Sequence, residues 1–573
     1  MKRVFSLARV AALLLVGATA ACSASPDEPA AKQNDDLTSL TARARKLEFA
    51  GYVYVDEGSS DTVITLTVKQ QTQSAFGALQ AASVGVNTRE LSNVDPTTFQ
   101  KIPVDVVDVN NPETAPRKMW KVAYTYTDDA IVPNTLADRS TLPLALLGTN
   151  YQSQSAKILP ECTNNDALAA EFQNSIWYVF NPQAKTCAPA MAAEQQRIDT
   201  DRATGATDAT SGMPVPLAEN QIPYSELNRL YIPMTVKLTP VHQDNTIKYP
   251  EYDMLYSGFG VESGKLVIGM VNGLMGDWAV GQVFDTYQDP GYPMWFGGMR
   301  EIFNARPGFE LVSIEGLDNP LDFDVFGELI HFNKFEDVIA FELDGKNPAG
   351  MGGLARNEVR KAIAKQLALR WVTFEAPVEV TVNGETRPLT IKLQTIFGTD
   401  LDPAPHKKGL KTSDVFVYNG HSYIGYGPLD PSRLTADDFP GSYQILNMNG
   451  CVSYNYYEKD YWPLKLGGTK GLDIITNGLE SWVTESGQAM GRFVGGLIDG
   501  QWSSYPDLLV KSQFTYYGYE WGMDALRVVD GELDNTYTPA ERPITVAAPG
   551  TTPPQPPPPA TNTPPAKNDD ATH

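Results

Sequence analysis

Two side chains that together could carry out nucleophilic catalysis each follow a short apolar run of the sequence. His421 comes after Val415-Phe416-Val417-Tyr418-Asn419-Gly420, and Cys451 comes after Ile445-Leu446-Asn447-Met448-Asn449-Gly450. In an open α/β sheet, ligands bind outside the carboxyl ends of the strands. If the two runs are adjacent parallel strands, the imidazole and the thiol emerge at one edge. There the base would generate a thiolate that attacks a carbonyl carbon.

Both candidate residues follow an Asn-Gly dipeptide, and the same dipeptide ends two further predicted strands. These are Asn272-Gly273 and Asn477-Gly478. Asn-Gly tolerates positive φ, so each dipeptide taken alone predicts a sharp turn at a strand end and no more.

The first residues predict export and a lipid anchor. Basic residues precede an apolar run that ends at Val16, and small residues lead from Gly17 into Cys22. This order is typical of a secretory signal, and the approach to Cys22 resembles the bacterial lipobox. We therefore expect a signal peptide over residues 1–21, lipidation of Cys22 and a tether over 22–44. The protein would sit in the bacterial cell envelope, at the outer membrane or cell surface. Ordinary cleavage near Ala21 is the alternative.

The cysteines support one disulfide and one free thiol. The chain has Cys22, Cys162, Cys187 and Cys451, with no C-x-x-C pair, which argues against a structural zinc site. An exported protein lies in an oxidising compartment. If Cys22 carries lipid, Cys162 and Cys187 can close a disulfide within one loop-rich region. Cys451 is then either a buried small side chain or a working thiol.

The charge balance excludes one class of partner. Lys plus Arg number 45 against 68 for Asp plus Glu, a net charge of -23. Such a surface repels a nucleic-acid backbone. The sequence has no H-E-x-x-H motif and no Walker-type loop, so we predict neither a metal nor a cofactor. The expected partners are a peptide or protein substrate and, through the lipid alone, the membrane.

The predicted secondary structure that must position the two residues differs between the N-terminal and C-terminal parts of the chain. Runs rich in β-branched and aromatic residues at 49–55, 62–68 and 122–126 predict an all-β, sandwich-like domain over 45–135. A mixed region over 136–264 holds the predicted disulfide and two further predicted strands, at 176–180 and 231–238.

Strands and helices alternate over residues 265–545, which predicts an α/β domain. A helix is expected over 357–371, and the runs 378–382 and 389–397 predict a hairpin. The apolar runs that precede the Asn-Gly dipeptides indicate a sheet covered on both faces. A Pro-rich tail over 546–573 is predicted to be disordered.

The segments around His421 and Cys451 resemble the caspase-like cysteine peptidases of gingipain or clostripain type. In that family the catalytic His follows one strand and the catalytic Cys follows the next. The resemblance implies a mostly parallel, caspase-like sheet, with His421 as base and Cys451 as nucleophile. The backbone N–H groups of Cys451 and Ser422 would hold the oxyanion. This chain has Ser422 where the family usually has Gly, and Gly450 where it often has Ala.

Two other functions are compatible with the same residues. The first is a non-catalytic binding lipoprotein that uses the α/β domain as a scaffold, which predicts a buried Cys451 sulfur facing apolar neighbours. The second is a serine hydrolase, because Gly420-His421-Ser422-Tyr423-Ile424 resembles a nucleophile elbow without its final Gly. That enzyme needs a histidine after the serine in the chain, and His573 alone qualifies.

Three weaker features concern the surroundings of the two residues. Asp430, Asp437 and Asp438 lie between them, and an acidic pocket there would favour a basic substrate side chain. The aromatic run over 454–462 is expected to be core, with a substrate groove as the alternative. His406 stands beside two lysines and indicates a solvated turn.

Overall fold

The computed structural model describes most of the chain after residue 36. The described residues are 37–111, 113–164, 166–207, 211, 213–242, 246–276, 286–349, 351–352, 354–382, 384–481, 486–516, 519–521 and 525–550. They belong to one compact unit, Asp35–His573. The predicted signal peptide, Cys22, His573 and residues 551–573 of the predicted tail lie outside the described residues. Residues 37–44 of the predicted tether are described and pack into the fold, because Leu37 is buried and Thr38 pairs with Val529.

The strands are given in chain order. They are β1 (Ala42–Asp56), β2 (Gly85–Val86), β3 (Gln100–Val107), β4 (Arg117–Pro133), β5 (Thr141–Leu147), β6 (Ala206–Thr207), β7 (Pro214–Val215), β8 (Gln221–Pro223), β9 (Tyr231–Pro240), β10 (Lys265–Gly273), β11 (Glu310–Ile314), β12 (Asp322–Val325), β13 (Glu328–His331), β14 (Val372–Val382), β15 (Glu385–Thr399), β16 (Val415–Asn419), β17 (Gln444–Asn449), β18 (Leu472–Asn477), β19 (Phe514–Tyr516), β20 (Tyr519–Trp521), β21 (Arg527–Asp530) and β22 (Ile544–Ala547).

The α-helices follow the same convention. They are α1 (Asp61–Gln73), α2 (Ala75–Ala81), α3 (Ser155–Glu161), α4 (Asp166–Glu171), α5 (Ile176–Val179), α6 (Cys187–Thr204), α7 (Tyr224–Leu227), α8 (Tyr252–Leu255), α9 (Gly291–Ala305), α10 (Phe335–Asp344), α11 (Arg356–Leu367), α12 (Pro403–Lys411), α13 (Tyr454–Tyr457), α14 (Ser486–Ile498) and α15 (Tyr505–Lys511).

A mixed sheet in the C-terminal part carries both candidate residues. Its order is β11-β14-β15-β10-β16-β17-β18-β21, with β22 added to β14. The neighbours from β15 through β10, β16 and β17 to β18 pair in parallel. β21 pairs antiparallel with β18, and β14 with β15. The predicted hairpin is therefore confirmed, and its strands run further than predicted.

Apolar side chains cover both faces of this sheet. Val415 and Val417 of β16 pack into a core with α9 and α14. Phe416 and Tyr418 of the same strand face the opposite way, into a core that includes Phe49 of the N-terminal sheet. Burial on both faces explains why these strands are apolar without alternation. The mixed α/β content predicted for residues 265–545 is confirmed.

The N-terminal part is built on a second sheet, ordered β5-β9-β1-β4-β3-β8, with β2 paired to β4. Its long central pair, β1 and β4, is antiparallel, and β3 pairs with β8 in parallel. Strands from both predicted segments, 45–135 and 136–264, enter this one sheet. Helices α1 and α2 pack against it, so this part of the chain is α+β and not the predicted all-β sandwich.

Two predicted strands are wrong for identifiable reasons. Residues 62–68 lie in helix α1, because Ser60 caps it by accepting a hydrogen bond from Val63 N, and Ile64 and Val68 are buried one helical turn apart. The run 176–180 contains the short helix α5, whose Trp177 packs against Phe76 with ring centroids 5.5 Å apart. β-branched and aromatic content favoured strands in both, and tertiary packing overrode it.

Cys162 and Cys187 form the predicted disulfide, with Cα atoms 4.6 Å apart. Disulfides persist in oxidising compartments, so this bond points to a location outside the cytoplasm. Among the helices in the described ranges, none is long and apolar enough to cross a membrane.

Candidate active site

Four of the Asn-Gly dipeptides lie side by side at the carboxyl ends of four adjacent parallel strands. Asn272, Asn419 and Asn449 are register partners in β10, β16 and β17, and Asn477 ends β18. Asn449 Nδ2 donates a hydrogen bond to Asn419 Oδ1 at 2.9 Å, and Asn477 Nδ2 donates to Asn449 Oδ1 at 3.0 Å. All four side chains are buried. The dipeptides therefore form an asparagine ladder, Asn419-Asn449-Asn477, in addition to making turns.

An arginine from β21 completes the ladder. Arg527 Nη2 donates to Asn449 Oδ1 at 3.1 Å, and its Nε donates to Asn477 Oδ1 at the same distance. Arg527 is itself buried. Because buried polar groups are costly when unpaired, these bonds fix the relative positions of the strand ends. They therefore fix the starting points of the two loops that carry His421 and Cys451.

The two loops touch directly beyond the ladder. Gly420 N donates to Asn449 O at 3.3 Å. A Cβ placed on Gly450 would lie 3.2 Å from Gly420 O and 3.6 Å from Ser422 N. The structure therefore brings the backbone of Gly420 and Ser422 next to Gly450. Gly450 leaves so little space that the family's Ala would press on the neighbouring loop.

His421 is half-buried at the start of its loop. Its backbone O accepts a hydrogen bond from Tyr418 OH at 2.7 Å, and its ring lies against Tyr423 with centroids 5.8 Å apart. Tyr423 OH in turn donates to Asp400 Oδ1 at 2.9 Å. Tyr418 thus holds the backbone of His421 at the sheet edge, and Tyr423 packs against its imidazole.

Cys451 is the free cysteine of the described chain and is half-buried. Its Sγ lies 3.7 Å from Ser481 O and 3.9 Å from Ser481 Oγ, which are weak hydrogen bonds. Within the described residues, no hydrogen bond joins this sulfur to the His421 ring. The thiol of this conformation is therefore directed at Ser481, which follows β18.

The surroundings of the thiol favour its neutral form. Burial raises the pKa of Cys451, and the negative charge of Glu480 raises it further, while the backbone of Ser481 acts in the opposite direction. Burial also raises the pKa of Glu480, whose Oε1 accepts a hydrogen bond from Gln80 Nε2 at 3.4 Å. The resting thiol is therefore protonated at neutral pH and needs a base before it can attack.

The backbone N–H groups of Ser422 and Cys451 lie at the loop junction. Neither the Ser422 N–H nor the Cys451 N–H donates to the backbone or side chain of another described residue. Amides of this kind, aimed at one point, stabilise the oxyanion of a tetrahedral intermediate. These are the two groups that the family resemblance implied.

Strained backbone flanks both candidate residues. Tyr423 and Ile424 have φ values of 52° and 54°, and Val452 has 53°. Positive φ is unfavourable for β-branched residues and costs about 1–3 kcal/mol at each position. Such strain concentrates at functional sites, where the surrounding structure holds it.

The three acidic residues between His421 and Cys451 have separate surroundings. Asp430 is buried and pairs with Arg89 at 2.8 Å. Asp438 caps a short helix and binds Lys407, while Asp437 is exposed. Of the three aspartates in the predicted acidic pocket, only Asp430 has a buried carboxylate, and Arg89 from the N-terminal part pairs with it.

The remaining features concern the aromatic run after Cys451, His406 and metal-binding groups. The aromatic run after Cys451 is largely core, with Tyr454, Tyr456, Tyr457 and Tyr461 buried. His406 was predicted in a solvated turn and is instead buried in α12, where burial lowers its pKa to about 4. Among the described residues, no group of three or more His, Cys, Asp or Glu side chains could hold a metal ion.

Sequence reasoning missed the residues that approach the site from distant parts of the chain. Ser481, Glu480 and Arg527 carry no motif that marks them. The repetition of Asn at four strand ends was a usable signal for the ladder, because side chains in register on parallel neighbours meet directly. No family model, curated protein or solved structure matches this chain.

Proposed function

We propose that the protein is an exported cysteine endopeptidase in which Cys451 is the nucleophile and His421 the base. One observation carries the proposal: a free thiol and an imidazole follow adjacent parallel strands in register, on loops that touch. In caspase-like peptidases the catalytic His and Cys follow consecutive strands, and this placement is similar. The strained backbone beside both residues gives further support.

The proposed reaction begins with transfer of the Cys451 thiol proton to the His421 imidazole. The thiolate adds to the peptide carbonyl carbon, and the Ser422 and Cys451 N–H groups stabilise the resulting oxyanion. The imidazolium then protonates the leaving amine as the C–N bond breaks, which leaves a thioester on Cys451. Attack of water on the thioester releases the new carboxylate and restores the thiol. In the resting conformation the thiol must turn from Ser481 toward His421 before the first step.

The proposed location is the bacterial cell envelope, with a lipid on Cys22. The disulfide between Cys162 and Cys187 supports an oxidising compartment. The proposed partners are a peptide or protein substrate, and the membrane through the lipid alone.

The first test uses the mature soluble chain with Ser in place of Cys22. Wild type, Cys451→Ser and His421→Ala are assayed for hydrolysis of unfolded casein, and each is treated with an active-site-directed peptidyl acyloxymethyl ketone. His331→Ala is the matched control, because His331 is exposed and its ring contacts Asp322 far along the chain from either loop. We expect hydrolysis and covalent labelling of Cys451 in wild type and the control, with both lost in the two site variants. Casein hydrolysis that survives Cys451→Ser excludes the mechanism.

One observation favours a second candidate, a non-catalytic binding lipoprotein. The Cys451 thiol contacts Ser481, and burial and Glu480 raise its pKa, which is the opposite of an activated nucleophile. This candidate predicts that Cys451 stays unlabelled by the ketone and reacts with iodoacetamide only after denaturation. For the serine hydrolase alternative, the required His573 lies outside the described residues.

A further inference from the structure

A turn from the N-terminal part lies against the loop that follows His421. The turn is the short segment Thr88–Leu91, in which Glu90 and Leu91 have φ values of 54° and 47°. Leu91 is fully buried, and its carbonyl accepts a hydrogen bond from Thr72 Oγ1 at 3.0 Å. Helix α1 therefore anchors a strained turn, and that turn presents Arg89 to the C-terminal part.

Arg89 occupies a pocket made by the loop over residues 422–430. Its Nη1 donates to Asp430 Oδ1 at 2.8 Å, and its guanidinium carbon lies 3.9 Å from the centroid of the Tyr426 ring. The Asp430 side chain is 3% exposed and that of Arg89 18%. Tyr426 OH donates to Glu90 Oε1, so the turn binds the loop through two neighbouring residues, Arg89 and Glu90. Ion pairing plus stacking on an aromatic face suits a planar guanidinium better than an ammonium group.

One buried tyrosine joins the 422–430 loop to the segment that follows Cys451. Tyr457 OH donates to Ser422 O at 2.9 Å. Tyr457 lies in the core, in the short helix α13 that follows Cys451, and Ser422 lies against Gly450, the residue before Cys451. Gln80 of the N-terminal part donates a hydrogen bond to Glu480 Oε1 at 3.4 Å, and Glu480 precedes Ser481, which contacts the thiol. The N-terminal part thus contacts both the loop that follows His421 and the segment that contains Glu480 and Ser481.

We propose that the turn Thr88–Leu91 is an internal latch, in which Arg89 fills the Asp430/Tyr426 pocket and holds the 422–430 loop closed beside the Cys451 thiol. The inference rests on the proposed function for its meaning, because it assigns the N-terminal part a regulatory role at the same site. Release of Arg89 frees the loop, exposes the thiol and lets it approach His421.

The latch is tested by the rate at which iodoacetamide alkylates Cys451 in the folded, non-reduced mature chain. Peptide mapping identifies the labelled residue. We expect Arg89→Ala to raise this rate at least about tenfold, because a buried hydrogen bond between charged groups contributes that factor or more to a local opening equilibrium. Arg89→Lys should fall between wild type and Arg89→Ala. Arg117→Ala is the matched control, since Arg117 pairs with Asp56 at the surface, and it should leave the rate unchanged.

Chemical rescue separates the latch from general loosening of the fold. Ethylguanidinium at millimolar concentration should slow alkylation of Arg89→Ala toward the wild-type rate and leave wild type unaffected. Ethylammonium, the probe without the planar fork, should not. If Arg89→Ala does not fold, Asp430→Asn and Tyr426→Leu remove the pocket from the opposite side, and both should raise the rate. An unchanged rate in the folded variants, or rescue by neither compound, overturns the latch.

This experiment separates the latch from the proposed function, because alkylation requires an accessible thiol and no catalysis. Repeating it in the His421→Ala background should preserve the acceleration by Arg89→Ala. Acceleration without any peptidase activity supports the latch and removes the peptidase. Peptidase activity without acceleration supports the peptidase and removes the latch.

Discussion

The asparagine ladder makes a quantitative prediction about stability. Asn449 takes part in three buried hydrogen bonds, with Asn419, Asn477 and Arg527. Asn419 has one ladder bond, to Asn449. A buried polar group left without its partner costs about 1–3 kcal/mol, and more when it is charged. Asn449→Ala should therefore lower the free energy of unfolding by about 4 kcal/mol, and Asn419→Ala by about 1–2 kcal/mol.

The assay is urea unfolding of the mature chain, followed by tryptophan fluorescence and far-UV circular dichroism. The difference between variants is taken from the shift in midpoint at constant denaturant slope. Asn93→Ala is the matched control, because Asn93 is exposed, and it should stay within about 0.5 kcal/mol of wild type. The reasoning fails if Asn419→Ala is as destabilising as Asn449→Ala, or if both match Asn93→Ala. The first result would mean that the number of ladder bonds does not set the loss, and the second that the strand ends are held by the backbone pairing alone.

Three further predictions concern parts of the chain away from the ladder. Replacing Cys162 and Cys187 together by Ser should cost roughly 3–4 kcal/mol, the loop-entropy value for a sequence separation of 25, measured as a shift in the urea midpoint. Burial raises the pKa of Asp473 to about 7, so the folded state binds its proton more tightly than the unfolded chain. The free energy of unfolding should therefore fall as pH rises from about 4 to 7 and stay level above pH 7. The fall should be roughly 4 kcal/mol larger in wild type than in Asp473→Asn. Gly425→Ala should destabilise the protein more than Gly308→Ala in thermal unfolding, although both glycines have positive φ. An added Cβ would be crowded at position 425 and would meet nothing at position 308. Equal losses of stability would show that backbone strain alone decides.

Much of the candidate site could be predicted because it is encoded locally. An apolar run followed by Asn-Gly marks a buried strand end whatever lies elsewhere in the chain. The strands before His421 and Cys451 end where predicted. Cysteine counting, together with the prediction of export, likewise indicated the disulfide and the free thiol. Both inferences use short segments or simple counting, and neither depends on which face a residue buries.

The N-terminal part shows where local patterns fail. Residues 62–68 have the composition of a strand, but they form a helix because Ser60 caps it and the core accepts Ile64 and Val68 on one face. The same composition would suit a strand if the sheet offered a free edge there. Secondary structure in such a segment is decided by the packing partner, and the partner is contributed by distant strands.

The amino-acid sequence by itself determined the positions of the strand ends, the Cys162–Cys187 pairing and the separation of His421 from Cys451 by one strand. Tertiary structure alone decided what meets the thiol and the loops. Ser481 reaches Cys451 because β18 lies beside β17, and Arg89 reaches Asp430 across 341 positions of the chain. Such contacts depend on how the two sheets pack on a shared core, and a linear pattern contains no record of that packing.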